Sequence, residues 1–139
     1  MENFNMSRST TFYALGLSYK KADAVIRGKF SLDTKAQSDL LLKAKAEGIE
    51  SLIVTSTCNR TEIYGFAHHP YELIKLLCEN SNGSVEEFQE VAYIYKNEEA
   101  VSHMFRVGTG LDSQILGDFE IIRQIKIAFN HSKREGLEN

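Results

Sequence analysis

A chain of 139 residues, 42% hydrophobic and 25% charged, has the make-up of one ordinary globular domain and enough apolar material for a buried core. Sixteen Lys plus Arg against nineteen Asp plus Glu give a formal net charge of −3, which removes any net-charge argument for nucleic acid or an anionic membrane as partner but leaves room for a local basic patch. Two cysteines with no Cys-x-x-Cys pair, no secretory run after Met1 and no apolar stretch of membrane-spanning length point to a reducing cytoplasm.

Residues 1–10 are polar and rich in Ser and Asn, and read as a mobile leader. Phe12-Tyr13-Ala14-Leu15-Gly16-Leu17 is an apolar run between polar residues and predicts a buried strand. From Leu32 the spacing turns helical, with Ala36, Leu40, Leu41 and Ala44 on one face, Ser31 as cap and Gly48 beyond the end. Leu52-Ile53-Val54 is the next strand. After it, Ile63, Gly65 and Ala67 alternate with Glu62, Tyr64 and Phe66, so the two runs predict a hairpin with Cys58 at or near its turn.

Pro70 opens a helix whose stripe holds Leu73, Ile74, Leu77 and Cys78, ended by Asn82-Gly83. Val91-Ala92-Tyr93-Ile94-Tyr95 predicts a further strand. Asn97 then caps a helix that begins with Glu98 and Glu99 and has an apolar face of Val101, Met104, Phe105 and Gly108. A last amphipathic helix aligns Ile121, Ile122, Ile125, Ala128 and Phe129 and finishes on Lys133 and Arg134. The order strand, helix, strand, strand, helix, strand predicts an α+β protein, a ferredoxin-like split β-α-β-β-α-β sandwich with additional C-terminal helices. Residues 11–117 form the domain proper, and 118–139 a C-terminal helix.

The chemistry concentrates in Thr55-Ser56-Thr57-Cys58-Asn59-Arg60. A guanidinium two residues from Cys58 favours thiolate over thiol, and Ser56, Thr57 and Asn59 are donors for an oxyanion or a carbonyl. The competing reading makes Cys58 a small buried filler, the role that Cys78 has on its apolar helix stripe. His68, His69 and His131 read as solvated. His103 sits two positions after Val101, about 200° round the axis, so it points away from the predicted buried face. In a cleft shared with Cys58 it would act as general acid or base; facing solvent it would do nothing. No Cys or His pair has the spacing of a structural zinc site, and no metal is expected. Gly108-Thr109-Gly110 follows a helix and lacks the third glycine of a dinucleotide turn.

Four segments carry a resemblance. Gly16-Leu17-Ser18-Tyr19-Lys20-Lys21-Ala22, Ser56-Thr57-Cys58-Asn59-Arg60-Thr61-Glu62-Ile63-Tyr64, Ala100-Val101-Ser102-His103 and Gly110-Leu111-Asp112-Ser113-Gln114-Ile115-Leu116-Gly117 resemble, in order, the N-terminal catalytic domain of the glutamyl-tRNA reductase family. The resemblance implies that Cys58 attacks the ester of glutamyl-tRNA to give a thioester, which NADPH reduces to glutamate-1-semialdehyde on the way to tetrapyrroles. A thioester is a better hydride acceptor than an ester, which suits a cysteine at this position.

Arg60 is then also suited to grip a glutamate carboxylate. By the same resemblance Thr57, Asn59 and Ser113 contact substrate, Gln124 does so with register held, and His103 is activity-sensitive. The family continues Gly-Glu-Pro-Gln-Ile-x-Gly-Gln-Val-Lys where this chain has Gly117-Asp118-Phe119-Glu120-Ile121-Ile122-Arg123-Gln124-Ile125-Lys126, so contacts carried onto Asp118 and Glu120 rest on altered chemistry. NADPH-binding and dimerisation domains are expected beyond this segment in a longer, homodimeric enzyme. Its implied partners are glutamyl-tRNA and the downstream glutamate-1-semialdehyde aminomutase. Alone, the segment is expected to form the thioester and hydrolyse it slowly. The alternative is a ferredoxin-like binding or regulatory module without chemistry.

Overall fold

The computed structural model describes residues 10–107, 113–117 and 120–138, with side chains through 129. Residues 1–9, Gly108, Thr109, Gly110, Asp118 and Phe119, and the side chains of His131, Lys133 and Arg134, lie outside that description. Strands β1 (Thr11–Ser18), β2 (Leu52–Ser56), β3 (Arg60–Ala67) and β4 (Tyr93–Lys96) stand in the order β4-β1-β3-β2, every neighbour antiparallel. This is the interleaved order of the ferredoxin-like fold. A short β5 (Gln114–Leu116) extends the sheet beyond β2, pairing Gln114 with Val54 and Leu116 with Leu52.

Six helices are described. The first crossover holds α1 (Ala24–Phe30) and α2 (Thr34–Ala46), the second holds α3 (Pro70–Glu79) and α4 (Val85–Val91), and α5 (Asn97–Val107) and α6 (Glu120–Glu138) follow β4. Among the described residues no helix is long and apolar enough to cross a membrane.

The crossover helices cover one face of the sheet, where Leu15, Leu17, Leu52, Val54 and Ile63 meet Phe30, Leu40, Leu73, Leu77 and Phe88. On the other face Phe12, Ala14, Ile53 and Tyr64 meet Ala100 and Met104 of α5 and Ile121 and Ile125 of α6. Burial on both faces explains why β1 and β2 read as unbroken apolar runs. It also places polar side chains of the second face inside the protein: Glu62 is 1% exposed and His103 7%.

Four sequence expectations are corrected. The helix expected from Leu32 with Ser31 as cap is α2, capped instead by Asp33, which accepts the Ala36 N–H at 2.8 Å, while Ser31 ends an unexpected helix before it, α1. Val91 closes α4 instead of opening a strand, because Ser84 and Glu87 form a capping box that starts a helix at Val85. The helix after Pro70 stops at Glu79, short of Asn82-Gly83. Finally, the buried face of α5 is Ala100, His103 and Met104, whereas Phe105 is 75% exposed.

Gly83 packs against the ring of Phe30, which is fully buried and edge-on to Phe88 at 5.7 Å. A Cβ on Gly83 would lie 2.2 Å from Phe30 Cζ. Gly83→Ala is therefore expected to lower stability by about 1–3 kcal/mol, the usual cost of overpacking, read as a drop in the urea midpoint.

Candidate functional site

Hairpin β2–β3 is closed by three residues, Thr57, Cys58 and Asn59, with Cys58 at the tip and exposed. The turn is held from inside. The Thr57 N–H donates to the Arg60 carbonyl at 2.8 Å, and Thr57 Oγ1 accepts the N–H groups of Asn59 and Arg60, each at 3.2 Å. It is also held from outside. The Tyr19 N–H donates to the Asn59 carbonyl at 2.8 Å, Arg27 Nε donates to the Cys58 carbonyl at 3.1 Å, and the Leu32 N–H donates to Ser56 Oγ at 3.0 Å. The side chains of Ser56 and Thr57, read as substrate donors, are thus committed to the turn itself.

Beside the turn lies a cleft of 660 Å³. Its cationic lining is Lys20, Lys21, Arg60 and Arg106, and its aromatic lining is Tyr19, Tyr93 and Tyr95 with His103. Under it sits a carboxylate the sequence reading passed over. Glu62 Oε1 accepts from Tyr64 Oη at 2.9 Å, and Oε2 meets Tyr93 Oη and His103 Nε2, both at 2.5 Å, with an Arg60 guanidinium nitrogen at 3.5 Å. The His103 ring packs against both Tyr93 and Tyr95, at centroid distances of 4.9 and 4.8 Å, and the two phenol rings stack on each other at 5.4 Å. Burial first, then the Glu62 charge, pushes the Tyr93 phenol far above its ordinary range, so it stays a donor.

Gly16 makes the network possible. It pairs with Glu62 on one side and Tyr93 on the other, and a Cβ there would stand 2.1 Å from the Thr61 carbonyl oxygen and 3.0 Å from Glu62 Cγ. Carboxylate and phenol meet across the bare backbone between them. Tyr93→Phe removes one donor from a carboxylate that is 1% exposed, and is expected to lower stability by about 1–3 kcal/mol in thermal or urea unfolding.

The structure gathers part of the expected set. Thr57, Cys58, Asn59 and Arg60 share the turn, and Arg60 and His103 share the cleft. Cys58 is beside that cleft and not part of its lining. Ser113 precedes Gln114, whose pairing with Val54 sets Ser113 at the same end of the sheet as the turn, and its Oγ is buried without a hydrogen-bond partner among the described residues. Such an orphaned hydroxyl suits a ligand contact.

Two residues go elsewhere. Gln124 Oε1 accepts from Ser51 Oγ at 2.6 Å, and Glu120 pairs with Arg123 at 2.9 Å in the first turn of α6. Both belong to the opposite end of β2, five residues at about 3.3 Å each from the turn. His103 was expected to turn away from the core; it is buried and held by Glu62, because the helix face is rotated from the Val101–Phe105 stripe. His68 and His69 are exposed as read, and His69 Nδ1 additionally accepts the Tyr71 N–H at 3.0 Å to cap α3. Cys78 packs half-buried against the main core. No group of three or more metal-binding side chains occurs among the described residues.

These features define an α+β domain that presents a braced, exposed cysteine beside a cationic and aromatic cleft. The family model described as glutamyl-tRNAGlu reductase, N-terminal domain, matches residues 15–139, and the chain belongs to that family. It is 91% identical over all 139 residues to glutamyl-tRNA reductase 2 of Flavobacterium johnsoniae and 66% identical to the glutamyl-tRNA reductase of Christiangramia forsetii. It spans 32% and 33% of those relatives, about a third of their length. Among solved structures, glutamyl-tRNA reductase from Methanopyrus kandleri matches with a TM-score of 0.53 and 26% identity, over 90% of this chain and 29% of that one.

Proposed function

We propose that this domain performs the acyl-transfer half of the glutamyl-tRNA reductase reaction, taking the glutamyl group from its tRNA onto Cys58. The observation that carries the reading is an exposed sulfur on a rigid turn, two residues before a guanidinium that opens onto a cationic cleft, in a chain of this family. The Cys58 thiolate attacks the ester carbonyl carbon, the carbonyl electrons move onto oxygen, and their return breaks the carbon–oxygen bond to the ribose. The ribose oxygen takes a proton and the thioester remains.

Arg60 spends one long 3.5 Å contact on Glu62, which leaves guanidinium donors for the glutamate carboxylate. Asn59 stands next to Cys58 in the turn, and Ser113 Oγ, unpartnered among the described residues, lies at the turn end of the sheet, across β2 from the cleft. His103, oriented through Nε2 by Glu62, is the imidazole that lines the cleft and the candidate general acid or base for the leaving ribose oxygen.

The same reading makes the longer protein an oxidoreductase that reduces the thioester with NADPH to glutamate-1-semialdehyde for tetrapyrrole synthesis, in the cytoplasm, as a homodimer that hands its product to the aminomutase. The described residues do not fit that cofactor: every strand pairing is antiparallel, and no strand-to-helix connection among them holds more than the single Gly117 where a pyrophosphate turn needs a run of glycines.

Incubating the chain with glutamyl-tRNA labelled in the glutamate tests the acyl transfer. Label that stays with denatured protein and is released by hydroxylamine supports it. Unlabelled protein, together with a Cys58 that alkylates no faster than free cysteine at neutral pH, overturns it in favour of a binding module.

A further inference from the structure

The connection from β1 to α1 runs Tyr19-Lys20-Lys21, and all three residues are exposed and line the cleft. Its backbone is fixed next to the reactive turn. The Tyr19 N–H is bonded to the Asn59 carbonyl at 2.8 Å, the Lys20 N–H to Ser18 Oγ at 3.3 Å, and the Ala22 N–H to the Ser18 carbonyl at 3.0 Å. The Tyr19 side chain keeps 54% of its surface open. Across the cleft α5 contributes Arg106. Among the described residues no ion pair involves Lys20, Lys21 or Arg106, whereas Lys29, Lys35 and Lys43 all pair with carboxylates. The protein is acidic overall, yet it gathers unneutralised cations and an open aromatic ring within a few residues of Cys58.

We propose that Tyr19-Lys20-Lys21 is the cradle for the single-stranded 3′ end of the aminoacylated RNA. Tyr19 offers its ring face to a terminal base, and Lys20 and Lys21, with Arg106 opposite, meet the phosphates that follow. This inference rests on the acyl-transfer reading, because an ester carbonyl at the Cys58 sulfur brings the last nucleotide to the turn that Tyr19 adjoins. A stacking ring beside a cationic groove is how proteins hold single strands, since every base has a face to stack and the backbone charge is uniform. A glutamate carboxylate alone would need neither the ring nor a second and third cation.

The test compares two labelled acyl donors, glutamyl-tRNA and the small α-benzyl thioester of glutamate, on the 139-residue chain and its variants. The readout is the ratio of their second-order labelling rates and the dependence of the tRNA rate on salt. Tyr19→Ala is expected to lower the tRNA-to-thioester ratio about tenfold or more, and Tyr19→Phe to hold it, because a phenyl ring stacks as well. Lys20→Ala combined with Lys21→Ala is expected to make the log–log salt slope shallower by about 1.4, two phosphate contacts on a single strand.

Wild-type ratios in Tyr19→Ala together with a wild-type slope in the lysine variant overturn the cradle and leave the acyl-transfer reading standing. A wild-type chain that takes label from neither donor removes that reading, and the cradle with it.

Discussion

Cys58→Ser is expected to end transfer of the glutamyl group to the protein, cutting the labelling rate by about 10³-fold or more, as loss of a nucleophile does in enzymes with covalent intermediates. Stability should hardly move, within about 0.5 kcal/mol, because the side chain is exposed and the contacts that hold the turn run through the Cys58 carbonyl and Thr57.

Cys78 is the internal control. Burial, then the charges of Glu86, Glu79 and Glu87, pushes its thiol up to about 11, so it stays protonated and unreactive through neutral pH. Cys78→Ser should therefore label like the wild type. Native protein treated with an alkylating reagent at neutral pH should lose one thiol quickly and the other only on unfolding. Full labelling in Cys58→Ser would take that sulfur out of the reaction.

Glu62→Ala carries the largest expected cost in stability. The carboxylate is the common acceptor for Tyr64, Tyr93 and His103 and the counter-charge for Arg60, all on a sheet face covered by α5 and α6. Removing one partner of a buried pair strands the rest, at about 3–5 kcal/mol. With a denaturant dependence of about 1–3 kcal/mol per molar, the urea midpoint falls by 1 M or more. Glu62→Gln, which keeps the shape and one acceptor oxygen but presents an amide to donors, should fall between Ala and the wild type. A midpoint for Glu62→Ala within about 0.3 M of the wild type would mean that the network adds nothing to the fold.

Much of the architecture could be read from residue patterns alone, because β1, the β2–β3 hairpin and α3 each carry a clear period and a turn or a proline at the right place. The missed elements lack a stripe. In α1 only Phe30 is buried, and in α4 only Phe88, so neither short helix shows helical periodicity. The Ser84 to Glu87 capping box was the available signal for α4. β5 is three residues long and defined only by its pairing with β2.

The site divides in the same way. The turn residues Thr57 to Arg60 are local, and local chemistry marks them. Glu62 showed only as one position of an alternating strand, since nothing in β3 says that a later helix will cover its face. His103 was misplaced for a related reason: Phe105, a large apolar residue, biased the inferred face, while the true face selects His103 for its fit to Glu62.

The turn is pinned by Tyr19, Arg27 and Leu32, from three separate segments. An anvil anchored at three points does not swing toward its workpiece. On the proposed acyl transfer, any travel needed to bring sulfur and carbonyl together falls to the acyl donor, so the pace of the first step would be set by delivery and not by loop closure.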